Sequence, residues 1–353
     1  MSAPLKLGVI GLGRMGQLYA RILATQISGV HLYAVAEVNE QAQRRMADEL
    51  NVSYSFADAL ELIALPELDA VVIATPTSTH PDLVISAAAA GKAIFCEKPL
   101  ALTPGETRSV LEAVARAQVP LQVGFMRRFD AAYQKAKTLI AGGLIGYPVT
   151  FKSLSRDPFC PPPGYMDPAK SGGLILDMAI HDFDLARWLM GSEVERVTAE
   201  GATLVCKDLE SVGDIDNALI NMRFVNGALG NIEVSRNAFY GYDIRTEVLG
   251  SEGAVIVGAH QYTPVVLLTQ AGVQHDVTPY LMERFGDAYR AQLQHFADCL
   301  RNGQSPSVGG ADALAACEIG VAATRAYQTG RPVTLSELRH STGESNDELD
   351  NEV

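Results

Sequence analysis

No apolar run in this 353-residue chain approaches the ~20 residues needed to cross a bilayer. The N-terminal stretch MSAPLKLGVIGLG carries one lysine and runs straight into a glycine pattern. It lacks the layout of a secretory leader, so the chain reads as cytoplasmic, with no membrane partner. There is no CxxC pair. Five cysteines, at 96, 160, 206, 299 and 317, are scattered and odd in number, which argues against a disulfide framework or a zinc site and suits a reducing compartment. No His/Cys/Asp spacing suggests a metal set. A basic stripe is also missing: the net charge is −13, and no nucleic-acid partner is expected. Sequence repeats are absent, and the one biased segment is Ser341 to Val353, which holds Glu344, Asp347, Glu348, Asp350 and Glu352 and no base. Residues 339–353 are therefore expected to form an acidic, disordered tail.

What is present is ordinary globular material, 48% apolar and 20% charged, long enough for two domains. Leu5 to Ile10 is a short apolar run followed by Gly11, Leu12, Gly13, Arg14, Met15 and Gly16 and then a helical pattern. Strand, GxGxxG and helix in that order form a dinucleotide-binding fingerprint: the glycines allow a tight turn and close backbone approach to a pyrophosphate. The helix N-terminus then presents its amides to the phosphates. A second strand, Val30 to Ala36, ends in Glu37. An acid there hydrogen-bonds the adenosine ribose and repels a 2′-phosphate, which selects NAD over NADP; the bland alternative is a solvated strand-end acid.

The strand–helix alternation continues to Leu121–Val123. Two loops lie at the carboxyl ends of buried strands, where doubly wound sheets bind ligands. One carries Thr75, Pro76 and His80; the other carries Glu97, Lys98 and Pro99. His80 either touches the cofactor or caps the following helix, and Glu97 with Lys98 either serves a ligand or forms a strand-end ion pair. Thr103, Pro104 and Glu106 mark a capped helix start. Beyond Arg127 the pattern changes. Val149–Arg156 alternates as a strand, Asp157–Tyr165 is proline-rich, and strand-like runs from Glu195 to Thr269 are punctuated by Asn226-Gly227 and Glu252-Gly253 turns. This reads as an antiparallel meander, closed by helices over Met282–Arg301 and Asp312–Thr329.

Between these parts lies GGLILDMAIHDFDLARWLMG, Gly172 to Gly191. It is apolar nearly all round, the signature of a buried helix. Asp177, His181 and Asp184 interrupt it within about 60° of one another. Such groups face a polar cavity, or form an internal ion-pair cluster with Arg187.

Taken together, GLGRMG, Glu37, ATPTSTH at 74–80, EKP at 97–99 and DMAIHDFD at 177–184 resemble the glucose–fructose oxidoreductase/inositol dehydrogenase (Gfo/Idh/MocA) family, over essentially the whole chain to about Leu338. VGFMRRFD (123–130) and the 171–189 segment look most like its inositol 2-dehydrogenase branch. The resemblance implies an NAD-binding Rossmann domain with a doubly wound parallel sheet over 1–124, and a substrate-binding and oligomerisation α+β domain with a large, open, mostly antiparallel sheet over 125–338. It implies Lys98, Asp177 and His181 as catalytic residues. Tyr240 or Tyr242, Tyr289 and Asp157 fall near positions lining the substrate pocket, Arg127 falls on the cofactor side, and the Lys98–Pro99 bond is expected to be cis. The implied reaction is NAD-dependent oxidation of a secondary hydroxyl of a neutral cyclic polyol, myo- or scyllo-inositol, to its keto form, by a homo-oligomer (tetramer or dimer). An aldopyranose dehydrogenase, an NAD-using glycosidase and a non-catalytic dinucleotide and sugar sensor are the alternatives. One departure is the Cys160–Tyr165 loop, longer than inositol dehydrogenases usually have.

Overall fold

The computed structural model describes residues 3–258 and 261–341; the acidic tail expected from the sequence lies outside them, apart from its first residues. The first sheet is built from β1 (Leu5–Ile10), β2 (Val30–Ala36), β3 (Tyr54–Phe56), β4 (Ala70–Ile73), β5 (Ala93–Cys96) and β6 (Leu121–Val123). All its pairings are parallel, in the order β3-β2-β1-β4-β5-β6. That order reverses at β1, as in a doubly wound dinucleotide-binding fold. Its inner strands are short apolar runs because helices cover both faces of such a sheet: β4 and β5 are buried at every position. The helix Pro104–Ala117 starts with a complete capping box, Thr103 and Glu106 each satisfying the other's backbone N–H.

The second sheet comprises β7 (Pro148–Arg156), β8 (Val194–Ala202), β9 (Asn217–Phe224), β10 (Leu229–Ser235), β11 (Asp243–Gly250) and β12 (Ala254–Val257); β13 (Gln261–Thr269) and β14 (Gly272–Val277) form a separate hairpin, and β15 (Val333–Thr334) closes the edge. The order is β12-β11-β7-β10-β9-β8-β15. The sheet is mostly antiparallel but not a meander: β7 enters between β10 and β11 and runs parallel to β10. The hairpins at Asn226-Gly227 and Glu252-Gly253 form where the turn residues place them. β14 has no counterpart in the sequence reading, because its GVQHDV lacks an apolar alternation.

The helix Gly173–Met190 packs on β7 and β10. Its first turn carries an unusual cap. Gly173 has φ +71°, and a Cβ there would lie 2.8 Å from the Asp214 carboxylate. That close approach lets Asp214 Oδ1 accept the Leu174 N–H at 2.9 Å, supplying negative charge at a helix N-terminus.

Two compact units emerge, and they interleave along the chain. The first holds residues through Gln134, Ala169–Ser171 and Leu281–Leu314; the second holds Lys135–Pro168, Gly172–Tyr280 and the chain from Ala315 onward. A single cut at residue 124 does not separate them. The helix Leu281–Asn302 belongs to the first unit, where Phe296 packs edge-on against Phe95 and the Gln292 carbonyl accepts from Gln122.

The cysteines correct the sequence reading. Cys160 and Cys206 are joined in a disulfide across 46 residues; Cys96, Cys299 and Cys317 are free and buried. Scatter along a chain does not limit proximity in a fold, and no short motif announces a pair whose loop is this long.

Candidate active site

In the first unit the candidate residues collect at the carboxyl ends of neighbouring parallel strands. After β1 the glycine loop turns into the helix Arg14–Thr25. Gly11 sits at φ +86°, and a Cβ on Gly16 would come within 1.7 Å of the Gly11 carbonyl oxygen, so neither position accepts a side chain. A Cβ on Gly13 would meet nothing within 4 Å: the backbone there is open, as close approach of a pyrophosphate requires. Glu37, at the end of β2, reaches back to this loop. Its Oε2 accepts the Leu12 N–H at 2.6 Å and its Oε1 the Asn39 N–H at 2.9 Å. The carboxylate is thus aimed by two backbone amides, with lone pairs left on both oxygens for further donors. These features fit a dinucleotide whose adenosine ribose meets an acid.

The next two loops are bolted together by His80. The imidazole is buried, with Nδ1 2.8 Å from the Pro99 carbonyl and Nε2 2.9 Å from the Thr75 carbonyl. Burial pushes its pKa down despite both carbonyls. Its ring nitrogens are therefore spent inside the protein, and its side chain does not cap the helix it begins. Glu97 also points inward. It accepts a hydrogen bond from Tyr19 Oη and, at 3.0 Å, from the Lys98 N–H, while Gln292 Nε2 donates to Tyr19 at 2.9 Å. Burial raises the Glu97 carboxyl despite the Tyr19 hydrogen bond, and burial and Glu97 raise the Tyr19 phenol. This leaves Lys98, half-buried, as the cation at the end of β5; the Lys98–Pro99 peptide is cis. Arg127 is buried with its guanidinium over the Phe285 ring. Tyr289 lies in this unit, edge-on to Tyr19.

In the second unit the helix Gly173–Met190 is buried at every position except Asp177, His181, Arg187 and Trp188, which are half-buried. Asp177 and His181, one turn apart, thus form its opening. Asp184 is fully buried and is not part of that opening. Arg187 pairs with Glu193 at 2.5 Å. Asp182, not singled out by the sequence, is buried and accepts Ser155 Oγ of β7 at 2.7 Å. Asp157 follows β7, its N–H donating to the Ser235 carbonyl at 2.8 Å. Tyr240 Oη donates to Asp243 at 2.7 Å and accepts from Arg156 at 2.8 Å. The Tyr242 ring packs edge-on against Tyr280.

Two residues near Asp177 were missed by sequence reasoning. Arg236, one residue past β10, is buried and pairs with Asp177 Oδ2 at 3.2 Å. Asp214 is also buried, and burial raises its carboxyl against its backbone hydrogen bonds. An arginine closing a buried strand is a weak signal; nothing local marks Asp214.

Among the described residues, no group of three or more His, Cys, Asp or Glu is placed to hold a metal ion, and no helix is long and apolar enough to cross a membrane.

Residues 5–125 match the model of the oxidoreductase family's NAD-binding Rossmann fold (GFO_IDH_MocA), and residues 137–335 match that of its C-terminal alpha/beta domain. The chain belongs to the GFO/IDH/MocA oxidoreductase family. Its cofactor is NAD, and the glycine loop and Glu37 fit that dinucleotide. Within the family the chain is 42% identical over 343 residues to scyllo-inositol 2-dehydrogenase (NAD(+)) of Bacillus subtilis (strain 168), covering 97% of this chain and 100% of the relative. It is also 42% identical over 335 residues to myo-inositol 2-dehydrogenase of Thermotoga maritima, covering 95% and 99%. Among solved structures, scyllo-inositol dehydrogenase from Lactobacillus casei with bound NAD(H) and scyllo-inositol superposes with a TM-score of 0.90 at 30% identity, covering 94% of this chain and 99% of that one.

Proposed function

We propose that this oxidoreductase oxidises a ring secondary hydroxyl of myo- or scyllo-inositol to the ketone, with NAD reduced to NADH and one proton released. The observation that carries the reading is the opening of an otherwise buried helix at Asp177 and His181 alone through its first three turns. NAD, when bound, supplies the hydride acceptor. The chain supplies the rest. His181 takes the hydroxyl proton; an imidazole is suited to that exchange near neutral pH. Asp177 orients the imidazole and accepts from a ring hydroxyl. Lys98 donates a hydrogen bond to the oxygen as negative charge develops on it.

A neutral ring is favoured over a phosphorylated or acidic sugar. Arg156 already faces Glu233 at 2.6 Å and Asp243 at 3.7 Å, and Arg236 faces Asp177. Neither guanidinium stands ready as a phosphate clamp. The sites for Gly11, Leu12, Gly13, Arg14, Met15, Gly16, Glu37, Thr75, Pro76 and Arg127 on the cofactor side, and for Asp157, Tyr240, Tyr242 and Tyr289 on the substrate side, belong to the same reading, as does the division into a cofactor domain and a substrate domain. So does assembly as a homotetramer, supported by the exposed Val265, Leu267, Leu268 and Val273 of the β13–β14 hairpin. A cytoplasmic location goes with this metabolic role, although the Cys160–Cys206 bond is of a kind rare in reducing compartments.

The test is NADH production with myo-inositol, scyllo-inositol, glucose, galactose and a sugar phosphate. Turnover of an inositol supports the reading, and turnover confined to the phosphate overturns it. His181→Ala and Lys98→Ala should each lower kcat by about 10²–10⁴-fold.

A further inference from the structure

The geometry points to Arg236 as a positioning residue for this reaction: it fixes Asp177 as a permanent acceptor, so that the proton leaving the substrate goes to His181. The inference rests on the inositol dehydrogenase reading above and adds a residue that the reading does not require.

Three observations support it. The Arg236 side chain is 3% exposed, against 32% for Asp177, so the cation lies deeper than the carboxylate it holds. A guanidinium stays charged in any protein environment, and a buried charge persists only with a counter-ion. Asp177 is that counter-ion at 3.2 Å. Second, the arginine is anchored independently of the helix. It follows directly on β10, and its own N–H donates to the Asp216 carbonyl at 2.9 Å. Asp216 in turn is fully buried. Third, the fork is not saturated. Nη2 serves Asp177, Nη1 faces the Met166 sulfur, and Nε is buried with no hydrogen-bond partner. An orphaned buried donor is costly, and a residue kept for core stability alone would have its donors satisfied. The arrangement is explained if the guanidinium is held for its charge and direction at Asp177.

Asp214 completes the cluster, its carboxylate within electrostatic reach of both Arg236 and Asp177. It is fixed to the first turn of the same helix by the Leu174 N–H. Arg236 thus stands between two carboxylates, one spent on capping and the other turned to the opening. With Arg236 in place, Asp177 accepts hydrogen bonds and does not take up a proton, and the base is His181.

The test compares Arg236→Lys, Asp177→Asn and the double variant. The lysine keeps the charge but loses the fork. Arg236→Lys should lower kcat with inositol about 10- to 100-fold with the Kd for NADH unchanged. In the Asp177→Asn background the same substitution should change kcat less than twofold. The thermal midpoints of the four proteins form a second cycle that needs no substrate, and the two substitutions should be strongly non-additive in it. Additive midpoints, or an equal loss of kcat in both backgrounds, would overturn the inference. An unsubstituted enzyme that leaves inositols untouched overturns the underlying reading instead, and is seen before any variant is made.

Discussion

Replacing Glu37 by serine should remove most of the preference for NAD over NADP. In the structure the carboxylate accepts the Leu12 and Asn39 amides at 2.6 and 2.9 Å, which fixes its plane and leaves a lone pair on each oxygen for the ribose hydroxyls. Hydrogen bonds to a charged group contribute about 1.5–3 kcal/mol each. Two of them, coupled through one side chain, should be worth ~2–4 kcal/mol, or about 30- to 1,000-fold in affinity. Against a 2′-phosphate the same carboxylate is repulsive: ~4 kcal/mol per pair of unit charges 4 Å apart at an effective dielectric of 20, reduced by salt. The unsubstituted protein should therefore prefer NAD by at least about 10²-fold. Glu37→Ser should weaken NAD by tens of fold, strengthen NADP, and bring the two within about tenfold of each other. Fluorescence titration with NADH and NADPH, at fixed ionic strength, measures both constants without any substrate. Equal affinities in the unsubstituted protein, or an unchanged ratio in Glu37→Ser, would refute the assignment of Glu37 to the ribose.

Five further outcomes are expected. Asp216→Ala should destabilise the protein by several kcal/mol in urea titration, because it strands the Leu204, Val205 and Cys206 amides that the buried carboxylate accepts at 2.6–2.8 Å; unchanged stability would show those amides satisfied elsewhere. Burial alone would raise the Asp216 carboxyl, but these hydrogen bonds and that of Asn217 hold it below its ordinary value, so its contribution is present above about pH 4 and lost as the pH falls through the depressed value; Asp216→Asn should flatten that acid limb. Thiol titration of the denatured protein should count three free cysteines, Cys96, Cys299 and Cys317, before reduction and two more after it. Cys160→Ser should cost up to ~4 kcal/mol by loop-closure entropy for 46 residues, and a count of five without reductant would remove the bond. His181→Ala should bind NADH as tightly as the unsubstituted protein, its kcat aside; a lost affinity would tie the imidazole to the cofactor.

The features legible in the sequence are those that a few adjacent residues determine. The strand–GLGRMG–helix turn is readable because a Cβ at Gly11 or Gly16 strikes backbone. The Thr103 capping box and the Asn226-Gly227 hairpin are likewise local. Helical periodicity places Asp177 and His181 on one stripe, but it gives only an angle. It does not say which part of the stripe a neighbour covers: Asp184, on the same stripe, is fully buried. Long-range pairings were not legible. The parallel insertion of β7 beside β10, the Cys160–Cys206 bond and the Arg236–Asp177 pair join segments 46 or more residues apart. Nothing near either partner specifies the other. His80 shows the reverse case: its position marks it as important, while its two carbonyl contacts assign it to bracing loops.

The return of Leu281–Leu314 to the first unit separates two meanings of the word module. As a unit of sequence, the Rossmann half ends near residue 125. As a unit of folding it does not end there. Cut at that point, the sheet loses the helix that carries Gln292 and Phe296, and Tyr19, Phe95 and Gln122 lose interior partners. Most of the second unit's residues must be synthesised before the first unit can be finished. During synthesis the cofactor half therefore stays incomplete until residues beyond 281 have emerged. A fragment that stops at 125 should be a poor dinucleotide binder because its core is incomplete, although every residue of the glycine fingerprint is present.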